Sequence, residues 1–326
     1  MKRLALLTLL ATLPLSLAAV DFVPKGDPMS DTPTAIELLD QADSVFRAGN
    51  NEQALELYQS TVETARKEFN RSVETEALAQ CARCCLKIGQ KEQGNDWLSR
   101  AGERGDDSDP MGWSRYLGVK GRFEWQENDL KAAYKTFNDM YDYCTANGLW
   151  GRSVDAAHMI AIVAEDPKEQ IQWNYRGIES AEKNDEESWL GPLWNNLATV
   201  YYDLNNYDSA LTCFIKAREY HWRNSGEVGK LFADYHIGMT YRHLGQNEEA
   251  AKWLRPVLAW AERLDHTSAI GQASEDLGEA YIALGKKAEG LKLLRQAREA
   301  YKKEKWDEQL PEIYQNLEKR IAVLEG

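Results

Sequence analysis

Hydrophobic and small residues recur along this chain with the spacing of helix faces, and whole groups of them recur at a longer period. Between residues 194 and 217 the apolar or small positions are Trp194, Leu197, Ala198 and Tyr201, then Ala210, Phe214 and Ala217. Steps of three and four residues gather each group on one side of a helix, so the segment reads as two amphipathic helices joined by a turn. Forty residues later stand Ile237, Gly238 and Tyr241, and forty further Leu277, Gly278 and Tyr281. The second helices keep step: Ala210, Ala250 and Gly290, and likewise Phe214, Leu254 and Leu294. Upstream, Ala54 and Tyr58 return as Gly94 and Leu98, then after thirty-nine residues as Ala133 and Phe137.

The turns carry a second, independent signal. Five residues before each small residue that opens a second helix stand Gly49, Gly89, Asn128, Asn205, Gly245 and Gly285. Gly and Asn tolerate the left-handed backbone that ends a helix. One hairpin departs, with Asp166-Pro167 offering an N-cap and a first-turn proline instead. No lone hairpin can bury its apolar face, so the repeats must stack. Small residues at Ala198, Gly238 and Gly278 are expected to let paired helices approach. Tyr201, Tyr241 and Tyr281 are expected to fill the space between hairpins, and truncating a ring buried in that way costs about 3–5 kcal/mol.

The spacing W-x-x-L-A-x-x-Y followed by A-x-x-x-F-x-x-A resembles the tetratricopeptide repeat family, with Trp194, Leu197, Ala198, Tyr201, Ala210, Phe214 and Ala217 matching position by position. The resemblance covers residues 33–305 as seven hairpins, and residues 306–326 read as a C-terminal capping helix. It implies an all-α, right-handed superhelical solenoid of stacked helix-turn-helix hairpins. The match weakens around 113–145 and 150–182, where Lys120, Glu124 and His158 replace apolar or small residues. A forty-residue period exceeds the family's usual ~34, which implies longer helices, as in kinesin light chains. A subgroup of bacterial repeat proteins is also similar, over 155–182 and 188–204.

The first residues follow another pattern. Lys2 and Arg3 precede an apolar run from Leu4 to Leu17, and small residues near 16–19 offer a cleavage site. The run is shorter than the ~20 residues of a spanning helix, so 1–19 reads as a signal peptide and the mature chain as periplasmic or secreted, without membrane insertion. Residues 20–32, rich in proline, read as a flexible linker, with the first helix starting near Thr32 and Pro33 in its first turn. The chain holds 39 basic against 52 acidic residues, a formal charge of −13. Cleavage would remove two of the positive charges. That balance disfavours nucleic acid, which needs basic patches, and permits a basic partner.

Candidate chemistry is sparse. The segment CARCC brings together Cys81, Cys84 and Cys85, where a local disulfide or thiol redox role competes with simple helix packing. Arg152, Asp155 and His158 share a helical face, either for acid–base work or as an interhelical polar network. His236 and His243 read as surface and groove residues, and no nucleotide, zinc-protease or hydrolase signature is present. No cofactor, metal or enzymatic activity is expected. Trp125, Trp189 and Trp222 are candidates for exposure, which keeps a cell-wall glycan-binding or structural envelope role as an alternative.

Family resemblance places a partner on a concave groove lined by first-helix residues. Carried over, these are Asn195, Thr199 and Tyr202; Tyr235, Met239 and Arg242; Glu275 and Glu279; and upstream Asp155 and Met159, with Arg83 and Arg122 as further candidates. The chaperone-tail carboxylate clamp of the family looks absent, because Phe232 and His236 stand where it needs Lys and Arg. The expected function is an exported protein- or peptide-binding scaffold or adaptor in the cell envelope.

Overall fold

In the computed structural model, residues 33–326 are described, and these form helices and turns alone. The expected signal peptide at 1–19 and the expected linker at 20–32 both lie outside the described residues. The described chain divides into two compact units, 33–196 and 197–326.

The first unit holds α1 (Ala35–Arg47), α2 (Asn51–Lys67), α3 (Arg71–Lys87), α4 (Lys91–Arg104), α5 (Pro110–Gln126), α6 (Leu130–Ala146), α7 (Trp150–Val163) and α8 (Pro167–Lys183). A single 3-10 turn (Glu187–Trp189) then leads into α9 (Leu190–Asp203), which runs on into the second unit. That unit continues with α10 (Tyr207–Asn224), α11 (Glu227–His243), α12 (Asn247–Arg263), α13 (Thr267–Ala283), α14 (Lys287–Lys303), a short α15 (Trp306–Gln309) and α16 (Pro311–Glu325). The helices pack as hairpins, α1 with α2, α3 with α4, α5 with α6, α7 with α8, α11 with α12 and α13 with α14, and the closing segment is split by Leu310 before Pro311 starts α16.

Local chemistry fixes these boundaries. Thr34, not Thr32, caps α1: its hydroxyl accepts from the Glu37 amide while Glu37 reaches back to the Thr34 amide. This reciprocal cap outcompetes a start at Pro33, which falls outside the helix. At the hairpin turns Gly49, Gly89, Asn128, Asn205, Gly245 and Gly285 all have φ between 59° and 86°. Asp166 caps α8 through the Lys168 amide, with Pro167 in the first turn. The turns between hairpins use less tolerant residues at positive φ, among them Phe69, Asp185 and Asp265.

Small residues set the helix spacing. A Cβ on Gly290 would stand 2.6 Å from the Gly278 carbonyl oxygen, and one on Gly278 would stand 3.0 Å from that of Gly290. In the first unit, a Cβ on Gly121 would strike the Phe137 ring at 2.6 Å. The tyrosines depart from expectation. Tyr201, Tyr241 and Tyr281 are only half-buried, and the fully packed rings are Tyr58, Phe137, Phe214 and Tyr301, all on second helices. The first-helix tyrosines sit in the last turn, where Tyr281 lies beneath the Arg255 and Lys286 cations instead of inside a core.

Candidate functional site

Charged and aromatic residues on first helices converge in the second unit. The turn spacing of α11 brings Tyr235, Met239 and Arg242 to one side, and α13 does the same for Glu275, Asp276 and Glu279. A cavity of about 240 Å³ opens there, lined by Arg242, Glu275, Asp276, Glu279, Asn316, Leu317 and Arg320. Asp276 is its organiser: Tyr235 donates its hydroxyl to one carboxylate oxygen at 2.6 Å, and Arg242 Nε donates to the other at 2.5 Å. Glu279 takes a bidentate pair from Arg320 at 2.9 and 3.0 Å, and Tyr301 donates to Glu275 at 2.7 Å.

Electrostatics follow from this placement. Burial opposes the Arg242 charge, but Asp276, Tyr202 and Tyr235 outweigh it and raise its pKa. Burial first, and then Asp276, push the Tyr235 hydroxyl well above its ordinary value. The wall thus carries three carboxylates against two guanidiniums. Beside it, Tyr202 packs edge-on to Tyr207 at 5.2 Å and to His243 at 5.0 Å, forming an aromatic rim.

Of the residues the sequence nominates, Arg242, Glu275 and Glu279 line the cavity, and Tyr202 stands on the aromatic rim. Tyr235 is 4% exposed and Met239 is 3% exposed, so both are buried, and Tyr235 reaches the wall only through its bond to Asp276. Thr199 is also buried. Asn195, Asp155 and Met159 belong to the other unit, and Met159 is buried there. Sequence reasoning missed Asp276, Asn316, Leu317 and Arg320. Asp276 follows directly on a nominated residue, but α16 carries no copy of the repeat to place its face.

The first unit spends its first-helix face differently. Glu76, almost fully buried, accepts from Arg115 Nη2 at 2.9 Å and from Arg152, tying α3 to α5 and α7. Arg122 holds Asp155 at 2.6 Å, while Lys120 pairs with Glu124 and donates to Thr136 at 3.0 Å. Arg152 and Asp155 therefore face different partners, and His158 rests against Trp189 with ring centroids 5.6 Å apart. Burial drops the His158 pKa to about 4 although Asp155 pulls the other way. The trio on α7 is an interhelical network with no shared reacting centre.

Cys81, Cys84 and Cys85 are buried free thiols in a core with Leu78, Ala82 and Phe123. Burial, reinforced by the neighbouring Cys85 thiol, pushes Cys84 up to about 12, so it has little thiolate at neutral pH. Of the three tryptophans nominated for exposure, Trp189 is buried, Trp125 is half-buried and Trp222 is exposed at 41%. His236 is buried as well, stacked on Phe214 at 4.9 Å, and is not a groove residue. The ring fits there because its pKa is driven down to about 3 by burial and it stays neutral.

Comparisons with known proteins agree with this architecture. Tetratricopeptide repeat models match residues 195–221 and 231–303. No curated protein matches the chain. A signal transduction ATPase with numerous domains and a tetratricopeptide repeat sensor, from Pyrococcus horikoshii, superposes with a TM-score of 0.70 at 15% identity. That match covers 88% of this chain but only 44% of the ATPase, so this chain spans less than half of that protein. The apo form of RapI aligns at a TM-score of 0.67 and 13% identity, covering 82% of this chain and 77% of the other. BtubC from P. vanneervenii gives 0.58 and 14%, over 66% and 92%. At such identities the likeness concerns the fold. The chain thus carries tetratricopeptide repeats across 195–221 and 231–303, and helical hairpins of the same build run through the rest of the described residues.

Proposed function

We propose that this protein is an exported scaffold that binds a polypeptide partner, and that the second unit receives a basic side chain of that partner. The observation that carries the reading is the cavity between α11, α13 and α16, with carboxylates in excess on its wall and the Tyr202 rim beside it. A Lys or Arg side chain entering it would exchange water for Glu275 and Glu279 and lay its stem against Leu317. Tyrosine and arginine at such a place are the residue types in which binding energy concentrates. The acid-rich composition favours the encounter with a basic partner.

The test immobilises the chain from residue 20 onward and captures partners from an envelope extract, beside a Tyr202→Ala, Glu279→Lys variant of matched melting temperature. A protein retained by the parent and lost by the variant supports the site; equal retention by both overturns it. Export has its own check in the intact mass of the native protein. Loss of residues 1–19 supports the signal-peptide reading, and retention of Met1 contradicts it.

A further inference from the structure

Phe69 is strained and unburied at once. It stands two residues before α3 with φ at 58°, in the left-handed region, and is 90% exposed. The matching places before α7, the 3-10 turn and α13 hold Gly148, Asp185 and Asp265, residue types that accept such a backbone. A bulky aromatic there strains the turn, and its ring returns no burial to the fold. A glycine would close the same turn with less strain.

The ring has company along its edge of the first unit. The starts of α1, α3, α5 and α7 run side by side. The Ala35 amide donates to Glu68 at 3.1 Å, the Ser72 hydroxyl donates to Asp109 at 2.7 Å, and Arg152 donates to the Met111 carbonyl. At or just before each start stands an exposed apolar residue, in the order Ile36, Phe69, Met111 and Trp150. Single exposed hydrophobes are ordinary. These recur at one structural place in successive hairpins and so form a ridge.

Carboxylates border the Met111 and Trp150 end of the ridge. Residues 105–109 carry Asp106, Asp107 and Asp109, and the turn after α8 carries Asp185 and Glu186. Tyr143 donates to the Asp107 carbonyl at 2.7 Å, and the Glu186 carboxylate lies against Gly151, next to Trp150. Of the flanking cations, Arg71 bonds Asp106, Arg104 bonds Glu74, and Lys183 is matched by Glu182 beside it. The local field is therefore negative. It opposes an anionic membrane surface and a second copy of this acidic chain, and it favours Lys and Arg.

We infer that this edge of the first unit docks a basic amphipathic helix of another protein. Packed neighbouring helices lie about 8–10 Å apart, and two turns of an α-helix rise about 11 Å. Apolar side chains two turns apart on the incoming helix would rest on successive ridge residues, with flanking Lys or Arg reaching Asp107 and Glu186. Phe69 is the anchor, an aromatic of the kind in which binding energy concentrates. The inference stands apart from the cavity of the second unit.

The experiment follows, by fluorescence anisotropy, a synthetic helix with Leu on one face and Lys on the other, beside the same helix with Glu for Lys. It uses the full chain carrying Glu279→Lys, so that a basic group entering the second unit's cavity does not contribute. That chain should bind the Lys helix, more weakly as salt rises, and ignore the Glu helix. Adding Phe69→Gly should weaken binding about tenfold while the melting temperature holds or rises, because the strained turn relaxes. Adding Asp107→Lys instead should also weaken it. No binding of the Lys helix, equal binding of the Glu helix, or binding unchanged by Phe69→Gly overturns the inference. A lower melting temperature in Phe69→Gly overturns it too, by returning the ring to the fold. So does a dimer, seen by light scattering, that Phe69→Gly dissolves, or capture of neutral phospholipid vesicles that Phe69→Gly abolishes.

Discussion

The two units join their helices with different materials. In the second unit Leu254, Leu294, Gly278 and Gly290 are buried between helices, and the partly buried ion pairs are those of the cavity wall and of Arg218 with Asp234. In the first, buried Glu76 and the Arg115, Arg122 and Arg152 guanidiniums cross between α3, α5 and α7 where the repeat pattern asks for hydrophobes. The repeat pattern fades in the sequence around 113–182 for this reason. Stacking there is held by ion pairs whose partners lie 33 to 76 residues apart, which no local periodicity records. Such pairs are strongly destabilising when broken, because the surviving charge stays buried.

That contrast can be broken from either side. The largest effect is expected at Glu76→Ala, which strands Arg115 and Arg152 and should cost about 3–5 kcal/mol. Hydrogen exchange should rise in peptides from 33–196 and stay level in those from 197–326; a loss under 1 kcal/mol would show the network to be ornamental.

Acid should act in the other direction and weaken the second unit more. Burial lowers His221 to about 4 and His236 to about 3, while the first unit offers His158 at about 4. An unfolded histidine titrates near 6.5, so below that pH the unfolded chain takes up protons that the folded chain refuses. The stability is therefore complete above pH 6.5 and is lost as pH falls toward 4. Each histidine should contribute a loss of about 2 kcal/mol at pH 5. Urea midpoints at pH 7 and pH 5 check this, and a His236→Phe variant should show a shallower loss than the parent.

Close approach comes next. Gly290→Ala forces a methyl against the Gly278 backbone, which cannot swing aside, and should cost about 1–3 kcal/mol. An unchanged urea midpoint would mean the helices can separate freely. The smallest effect is expected at Tyr201→Ala. A half-buried ring contributes only part of the full burial energy, so the loss should be about 1 kcal/mol. A loss above 3 kcal/mol would restore this tyrosine to the core.

How legible was the molecule in its sequence? The hairpins were, since period and turn chemistry are local: Gly49 through Gly285 announce their left-handed turns directly. Tyr201 was not, because its place in a motif says nothing of how far solvent reaches the end of its helix. Glu275, Glu279 and Arg242 were found through the repeat register. Asp276 was passed over one position away, although its bonds to Tyr235 and Arg242 span 41 and 34 residues. Arg320 and Leu317 stand on a closing helix outside the repeat, where register gives no guidance. Tyr235 and Met239 were nominated as surface and are buried, because α11 packs against α13 on the side the register assigns to the groove.

The most direct test of the central claim pans a random peptide display library on the parent protein and on a Glu279→Lys variant with the same melting temperature. The parent should enrich peptides sharing a Lys or Arg at a fixed position, and the variant, with a carboxylate of its cavity wall replaced by an ammonium, should not. Enrichment of acidic or purely apolar peptides by the parent, or the same basic peptides held equally by both, would contradict it.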